Sequence, residues 1–80
     1  MVCGRSIKLK GGFFYTIRTA RDVYECFHCL KPILKGELYI EERALNGVVR
    51  RYHTGCIGKA VPRITVKIDS VSGIELCIKY

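Results

Sequence analysis

Four residues in the middle of this 80-residue chain have the types and spacing to hold a metal ion: Cys26 and Cys29, then His53 and Cys56. Each pair is spaced i and i+3, and 23 residues separate Cys29 from His53. A Cys-x-x-Cys pair can curl its backbone around a metal and aim both sulfurs at it from about 2.3 Å. The second pair then arrives from the far end of a loop, with a His nitrogen at roughly 2.0–2.1 Å. The interval between the pairs is long enough for one β-hairpin and little else. The set predicts one structural Zn²⁺ held by Cys26, Cys29, His53 and Cys56. Two other readings compete. A redox dithiol at Cys26-Phe27-His28-Cys29 would use the intervening His to lower the attacking thiol's pKa, but it leaves His53 and Cys56 without a role. Independent buried cysteines would need no such spacing. His28, inside the knuckle, is expected to face solvent and not the metal.

Four protein ligands leave no open position for water, so the site is not expected to be catalytic. The zinc deaminase pattern needs a Glu two residues after a His and a Cys-x-x-Cys downstream. Here the Cys-x-x-Cys comes first and neither His is followed by such a Glu. A metal-dependent nuclease would need a His free of the structural site and a second metal-binding group, and only His28 remains. The chain is not expected to be an enzyme.

The elements that must position these ligands can be read around them. Eighty residues make a single domain, 1–80, whose core alone gives no more than ~3–5 kcal/mol, so a metal staple is the expected remedy. Residues 5–10 and 13–18 read as strands around Gly11-Gly12, taken as a two-residue turn. Residues 19–25 connect them to the knuckle, with Tyr24 packed beside it. A strand over Glu37 to Arg43 returns through Asn46-Gly47, a type I′ signal, as Val48 to His53. Thr54 is placed to cap a short helix carrying Cys56, Ile57 and Ala60, which Pro62 stops. Beyond Arg63, Ile64, Val66 and Ile68 alternate with polar residues, Ser70 to Gly73 turns the chain, and Ile74, Leu76 and Ile78 alternate again. The expected fold is small α+β, mostly β. A zinc-stapled treble clef (24–61: knuckle, hairpin, short helix) is flanked by N-terminal (1–23) and C-terminal (62–80) β-hairpins that join into one small sheet. Cys3 and Cys77 are left over: either inert, or closing the termini by a disulfide.

The segments Cys26-Phe27-His28-Cys29-Leu30-Lys31-Pro32-Ile33, Lys35-Gly36-Glu37-Leu38-Tyr39-Ile40 and Arg51-Tyr52-His53-Thr54-Gly55-Cys56-Ile57 resemble a treble-clef finger of the poly(ADP-ribose) polymerase type. They are also similar to the first half of a LIM domain. The resemblance covers residues 24–58 and carries over only the four ligands. The first family implies binding to DNA ends or distorted DNA, the second implies protein contacts, and a shared fold does not choose between them.

Charge bears on that choice. The formal net charge is +7, from 14 Lys and Arg against 7 Asp and Glu. Residues 1–35 hold seven basic and two acidic side chains, a balance of +5; residues 36–80 hold seven and five, a balance of +2. Acidic residues gather at Glu37, Glu41 and Glu42, where Arg50 and Arg51 are placed for cross-strand pairs. The less compensated cations are Arg5, Lys8, Lys10 and Arg18, then Lys59, Arg63 and Lys67. Among the aromatics 13–15, Phe14 is a candidate for stacking on a base, unless it fills the core. No helix is long enough to fill a major groove. These residues point to backbone-dominated nucleic-acid binding, DNA before RNA, with limited sequence readout. The alternative is a zinc-stapled adaptor for a protein partner or a second copy, using Ile74 to Tyr80 as an exposed edge. No apolar run approaches the ~18 residues of a membrane span. Thiol ligands without a signal-like segment suggest an intracellular setting, cytoplasm or nucleus.

Overall fold

The computed structural model describes residues 2–69 and 73–78. The turn expected over Ser70 to Gly73 lies, apart from Gly73, outside the described residues, as do Lys79 and Tyr80. In chain order the elements are β1 (Val2–Gly4), β2 (Ser6–Leu9), β3 (Phe13–Thr19), β4 (Tyr24–Glu25), β5 (Pro32–Ile33), β6 (Leu38–Arg43), β7 (Val49–His53), α1 (Ile57–Ala60), β8 (Ile64–Asp69) and β9 (Gly73–Ile78). The protein is small and mostly β, with one short helix.

Three antiparallel sheets form, ordered β2-β3-β6-β7, β1-β9-β8 and β4-β5. The two terminal hairpins therefore do not join each other, as alternation alone had suggested. The N-terminal hairpin instead continues the central one, because β3 pairs with β6 from Phe14↔Arg43 to Thr19↔Leu38. The C-terminal hairpin takes its third strand from β1, which was not expected as a separate element. The change of sheet happens at Arg5. Its carbonyl still accepts a bond from Ile17 N–H at 2.9 Å, while Gly4 before it already pairs with Leu76. Cys3 and Cys77 then sit opposite one another and form a disulfide, the second of the two alternatives for them. β9 lies between β1 and β8, so residues 76–78, part of the edge on which the adaptor reading rested, are paired on both sides, while Ile74 and Glu75 pair with β8.

The turns also differ in detail. Leu9 pairs with Phe13, so the first hairpin has a three-residue loop, Lys10-Gly11-Gly12, with both glycines at positive φ. At Asn46-Gly47 only Gly47 has positive φ (87°), which excludes type I′. Ala44 and Val48 stay paired and Gly47 N–H closes on Ala44 O at 3.0 Å. A left-handed glycine ending a three-residue loop is the next commonest way to match the twist of the strands.

One core joins the sheets. Ile7, Tyr15, Ile17, Ile40 and Tyr52 from the four-stranded sheet meet Ile64, Leu76 and Ile78 from the three-stranded one, with Ile33 and Ile57 fully buried. The alternation fails at Ile68, which is exposed although Ile64 in the same strand is buried. Among the aromatics 13–15, Tyr15 fills the core while Phe13 and Phe14 are partly exposed.

Candidate metal centre and cationic surfaces

The ligand atoms of Cys26, Cys29, His53 and Cys56 all lie within 4.8 Å of one another. A tetrahedral ion with bonds of about 2.3 Å sets its ligands roughly 3.8 Å apart, so the cluster can hold one metal ion, and its three sulfurs and one imidazole suit zinc. Local hydrogen bonds explain the convergence. In the knuckle, Leu30 N–H bonds to Cys26 O at 2.9 Å and Cys26 N–H to Lys31 O at 3.0 Å, which puts Leu30 in the left-handed region (φ 64°). The knuckle docks on β7 through Phe27 N–H to Arg51 O at 2.8 Å and through His53 N–H to Cys26 Sγ at 3.4 Å. β6 and β7 carry His53 back to it, paired with Tyr39.

The His53 ring is oriented at both nitrogens. Nε2 lies 3.0 Å from Pro32 O and Nδ1 lies 3.2 Å from Cys29 Sγ. Donation from Nε2–H to the carbonyl leaves Nδ1 as the ligand atom, the usual way a neighbouring group selects a metal-binding tautomer. Cys56 begins α1 as its N-cap with no side-chain capping bond. The expected cap at Thr54 does not form, because the helix starts two residues later and the Cys56 side chain joins the cluster. His28 is exposed, as expected.

Burial pushes the Cys26 thiol up, but backbone N–H groups of Cys29, His53 and His28 and the Cys29 side chain outweigh it and bring the thiol down to about 6. Burial and the contacts with Cys29 and Cys26 push Cys56 up to about 11. Burial lowers His53, and the bond to the Pro32 carbonyl together with the Cys26 and Cys29 sulfurs more than reverses this, so the ring ends above its ordinary value. One thiolate is therefore already favoured before a cation arrives, and an ion would displace the remaining protons.

The expected nucleic-acid residues separate into groups. Lys8, Lys10 and Arg63 line one cleft of about 170 Å³ with Leu9 and Ile78. Lys8 Nζ sits 5.2 Å from the centre of the Phe14 ring. Arg5 and Arg18 instead line a different, larger basin. Arg18 is not uncompensated: its Nε lies 2.8 Å from Glu41. Lys59, in the last turn of α1, and Lys67, opposite Glu75 on β8, are exposed and line neither. The expected cross-strand pairs form only in part. Arg50 reaches Glu42 at 3.7 Å, whereas Arg51 faces Glu41 in register but stacks on Tyr24, 4.1 Å from the ring centre. Sequence reasoning missed Arg21 and Arg43, which line the basin with Arg5, Arg18 and Arg51. Strand parity relative to Glu41 would have found Arg43 once β6 was recognised; Arg21, in a connector, has no parity to read.

No protein-family model, curated protein or solved structure matches the chain.

Proposed function

We propose that the chain is a treble-clef, zinc-stapled protein that binds nucleic acid, DNA before RNA, mainly through the phosphate backbone. The observation that carries this reading is the outer face of the four-stranded sheet. The strand register sets Lys8, Phe14, Arg18, Arg43 and Arg51 on that face, opposite the one that packs Ile7, Tyr15, Ile17, Ile40 and Tyr52. Cations interleaved with an accessible ring are what a strand of phosphates and bases needs from a platform. Arginine adds planar, bidentate donors for phosphate oxygens. The succession of knuckle, hairpin, His53 and a helix beginning at Cys56 supports the treble-clef description, with the metal as its staple.

The test is binding of random single-stranded and duplex oligonucleotides as a function of salt. Backbone recognition predicts that log K falls by roughly 0.9 per phosphate neutralised on duplex. Lys8→Glu with Lys10→Glu is expected to weaken all sequences alike and flatten that slope while metal content and melting curve persist. An unchanged affinity in that variant, or no retention of DNA or RNA at low salt, would move the reading to a protein-binding adaptor.

A further inference from the structure

The outer face of the sheet and the connector near Tyr24 enclose an open basin of about 620 Å³. Five arginines line it, Arg5, Arg18, Arg21, Arg43 and Arg51, against one carboxylate, Glu41. Glu41 holds Arg18 Nε at 2.8 Å and an Arg43 terminal nitrogen at 3.2 Å. A guanidinium has five N–H donors, so both arginines keep most of theirs for another acceptor. Glu41 thus acts as a spacer that fixes two like charges side by side. Among the described residues Arg5 and Arg21 make no ion pair. Arg51 lies over Tyr24, and its buried Nε has no hydrogen-bond partner among the described residues. Arginine cannot relieve such crowding by losing its proton. Five cations facing one anion leave a concentrated excess of +4 that the described protein groups do not answer.

We propose that this basin is a binding site for a compact polyphosphate, the di- or triphosphate group of a free nucleotide or of a polynucleotide 5′ end. A continuous backbone offers one charge per phosphate and spreads them along its length. A group carrying several charges on adjacent phosphorus atoms matches an excess of four within one concavity. The volume falls within the ~300–1,000 Å³ of small-ligand sites, more than a single backbone phosphate fills. The guanidinium fork suits adjacent phosphate oxygens, and stacking on the Tyr24 ring holds the Arg51 guanidinium in place. The site is separate from the Lys8-Lys10-Arg63 cleft and goes beyond general backbone binding.

The test is calorimetric titration of the zinc-loaded chain with tripolyphosphate and with inorganic phosphate, zinc content being checked afterwards. Tripolyphosphate is expected to bind at least about tenfold more tightly than phosphate, and Arg5→Ala with Arg21→Ala to lose about tenfold or more. Both side chains are exposed and free of ion pairs, so the fold is expected to persist in that variant. The Arg51 Nε–H resonance should shift on binding, and Lys8→Glu with Lys10→Glu should leave tripolyphosphate affinity within about threefold. A 5′-triphosphorylated oligonucleotide held more tightly than its 5′-hydroxyl counterpart and than ATP marks a strand end as the source; ATP held more tightly than tripolyphosphate and than the triphosphorylated oligonucleotide marks a free nucleotide. Equal affinity for phosphate and tripolyphosphate, or an unaffected Arg5/Arg21 variant, overturns the proposal even if oligonucleotides still bind. Tripolyphosphate binding without any oligonucleotide binding upholds it and removes the nucleic-acid reading alone.

Discussion

The two faces of the four-stranded sheet handle the same problem differently. Glu41 and Glu42 are neighbours in β6 and both are nearly buried, at 9% and 5% exposure. Glu42 lies on the apolar face, where Tyr15 O–H donates to it at 2.7 Å and Arg50 approaches at 3.7 Å. Glu41 lies on the outer face between Arg18 and Arg43. Glu42 completes the core's own hydrogen bonding, while Glu41 organises cations that have donors to spare. Burial alone would assign the two carboxylates one role. Their partners separate them.

A metal ion at Cys26, Cys29, His53 and Cys56 would anchor the knuckle to β7, on which both faces depend. Zinc contributes an apparent ~10–16 kcal/mol in finger peptides, far more than a core of this size. Cys26→Ser, or a strong chelator, is expected to abolish cooperative melting, with native mass spectrometry showing loss of one zinc. Cys3→Ser is expected to leave zinc content unchanged. Tight zinc binding and a normal fold in Cys56→Ser would remove the metal centre from the account.

Charge reversal at Glu41 comes next. Its place on an acidic strand suggests a harmless surface change, but the structure sets it among five arginines. Glu41→Lys adds a sixth cation and is expected to cost about 3 kcal/mol or more in denaturant melts. Glu41→Gln keeps the shape, releases only half-exposed arginines into water, and should raise oligonucleotide affinity severalfold. Glu42→Ala instead strands the buried Tyr15 hydroxyl, which costs about 1–3 kcal/mol with no gain in affinity. Equal responses at the two positions would erase the distinction between the faces.

Gly47→Val acts on both faces alike. It forces a β-branched residue to φ 87° at the loop that joins β6 to β7, although open space surrounds the site. The expected cost is about 1–2 kcal/mol, with weaker zinc affinity because β7 carries His53. A wild-type melting curve would mean that the hairpin turns another way.

The smallest effect is at alkaline pH. Burial and the neighbouring Glu42 raise Tyr15 and Tyr52 above the ordinary phenol value of 10.0. A raised folded pKa contributes stability that is complete below pH 10 and is lost as pH rises from there toward the folded value. Phenolate absorbance should therefore show these two tyrosines ionising late, together with unfolding. Reversible ionisation of every tyrosine at the ordinary value would contradict the packing of the apolar face.

The metal ligands, the strand positions and the short helix were legible because each depends on spacing within a few residues. Cys-x-x-Cys, Asn-Gly and alternating Ile and Val are local signals. Which hairpin pairs with which is not local. β3 could satisfy its hydrogen bonds against any strand, and its pairing with β6, which sets Ile17 opposite Ile40, joins segments far apart in the sequence. The arginine basin was only partly legible: Arg43 and Arg51 share the face of Glu41 through the β6–β7 hairpin, but Arg18 joins them only once β3 pairs with β6. The crossing at Arg5 was hidden too, because nothing in Cys3-Gly4-Arg5-Ser6 announces a change of sheet.

The Cys3–Cys77 bridge, which spans 74 residues, has a consequence for how the molecule matures. The same chain must oxidise two sulfurs while keeping three reduced whose sulfur atoms lie within 4.8 Å of one another. Disulfides exchange through any accessible thiolate, so five unprotected cysteines would mispair. A metal ion held by Cys26, Cys29 and Cys56 would take those three out of the exchange and leave Cys3 and Cys77 with each other. With a metal ion in the cluster, assembly would have a preferred order, metal first and oxidant second, and a chain exposed to oxidant before the metal would be open to scrambled pairing.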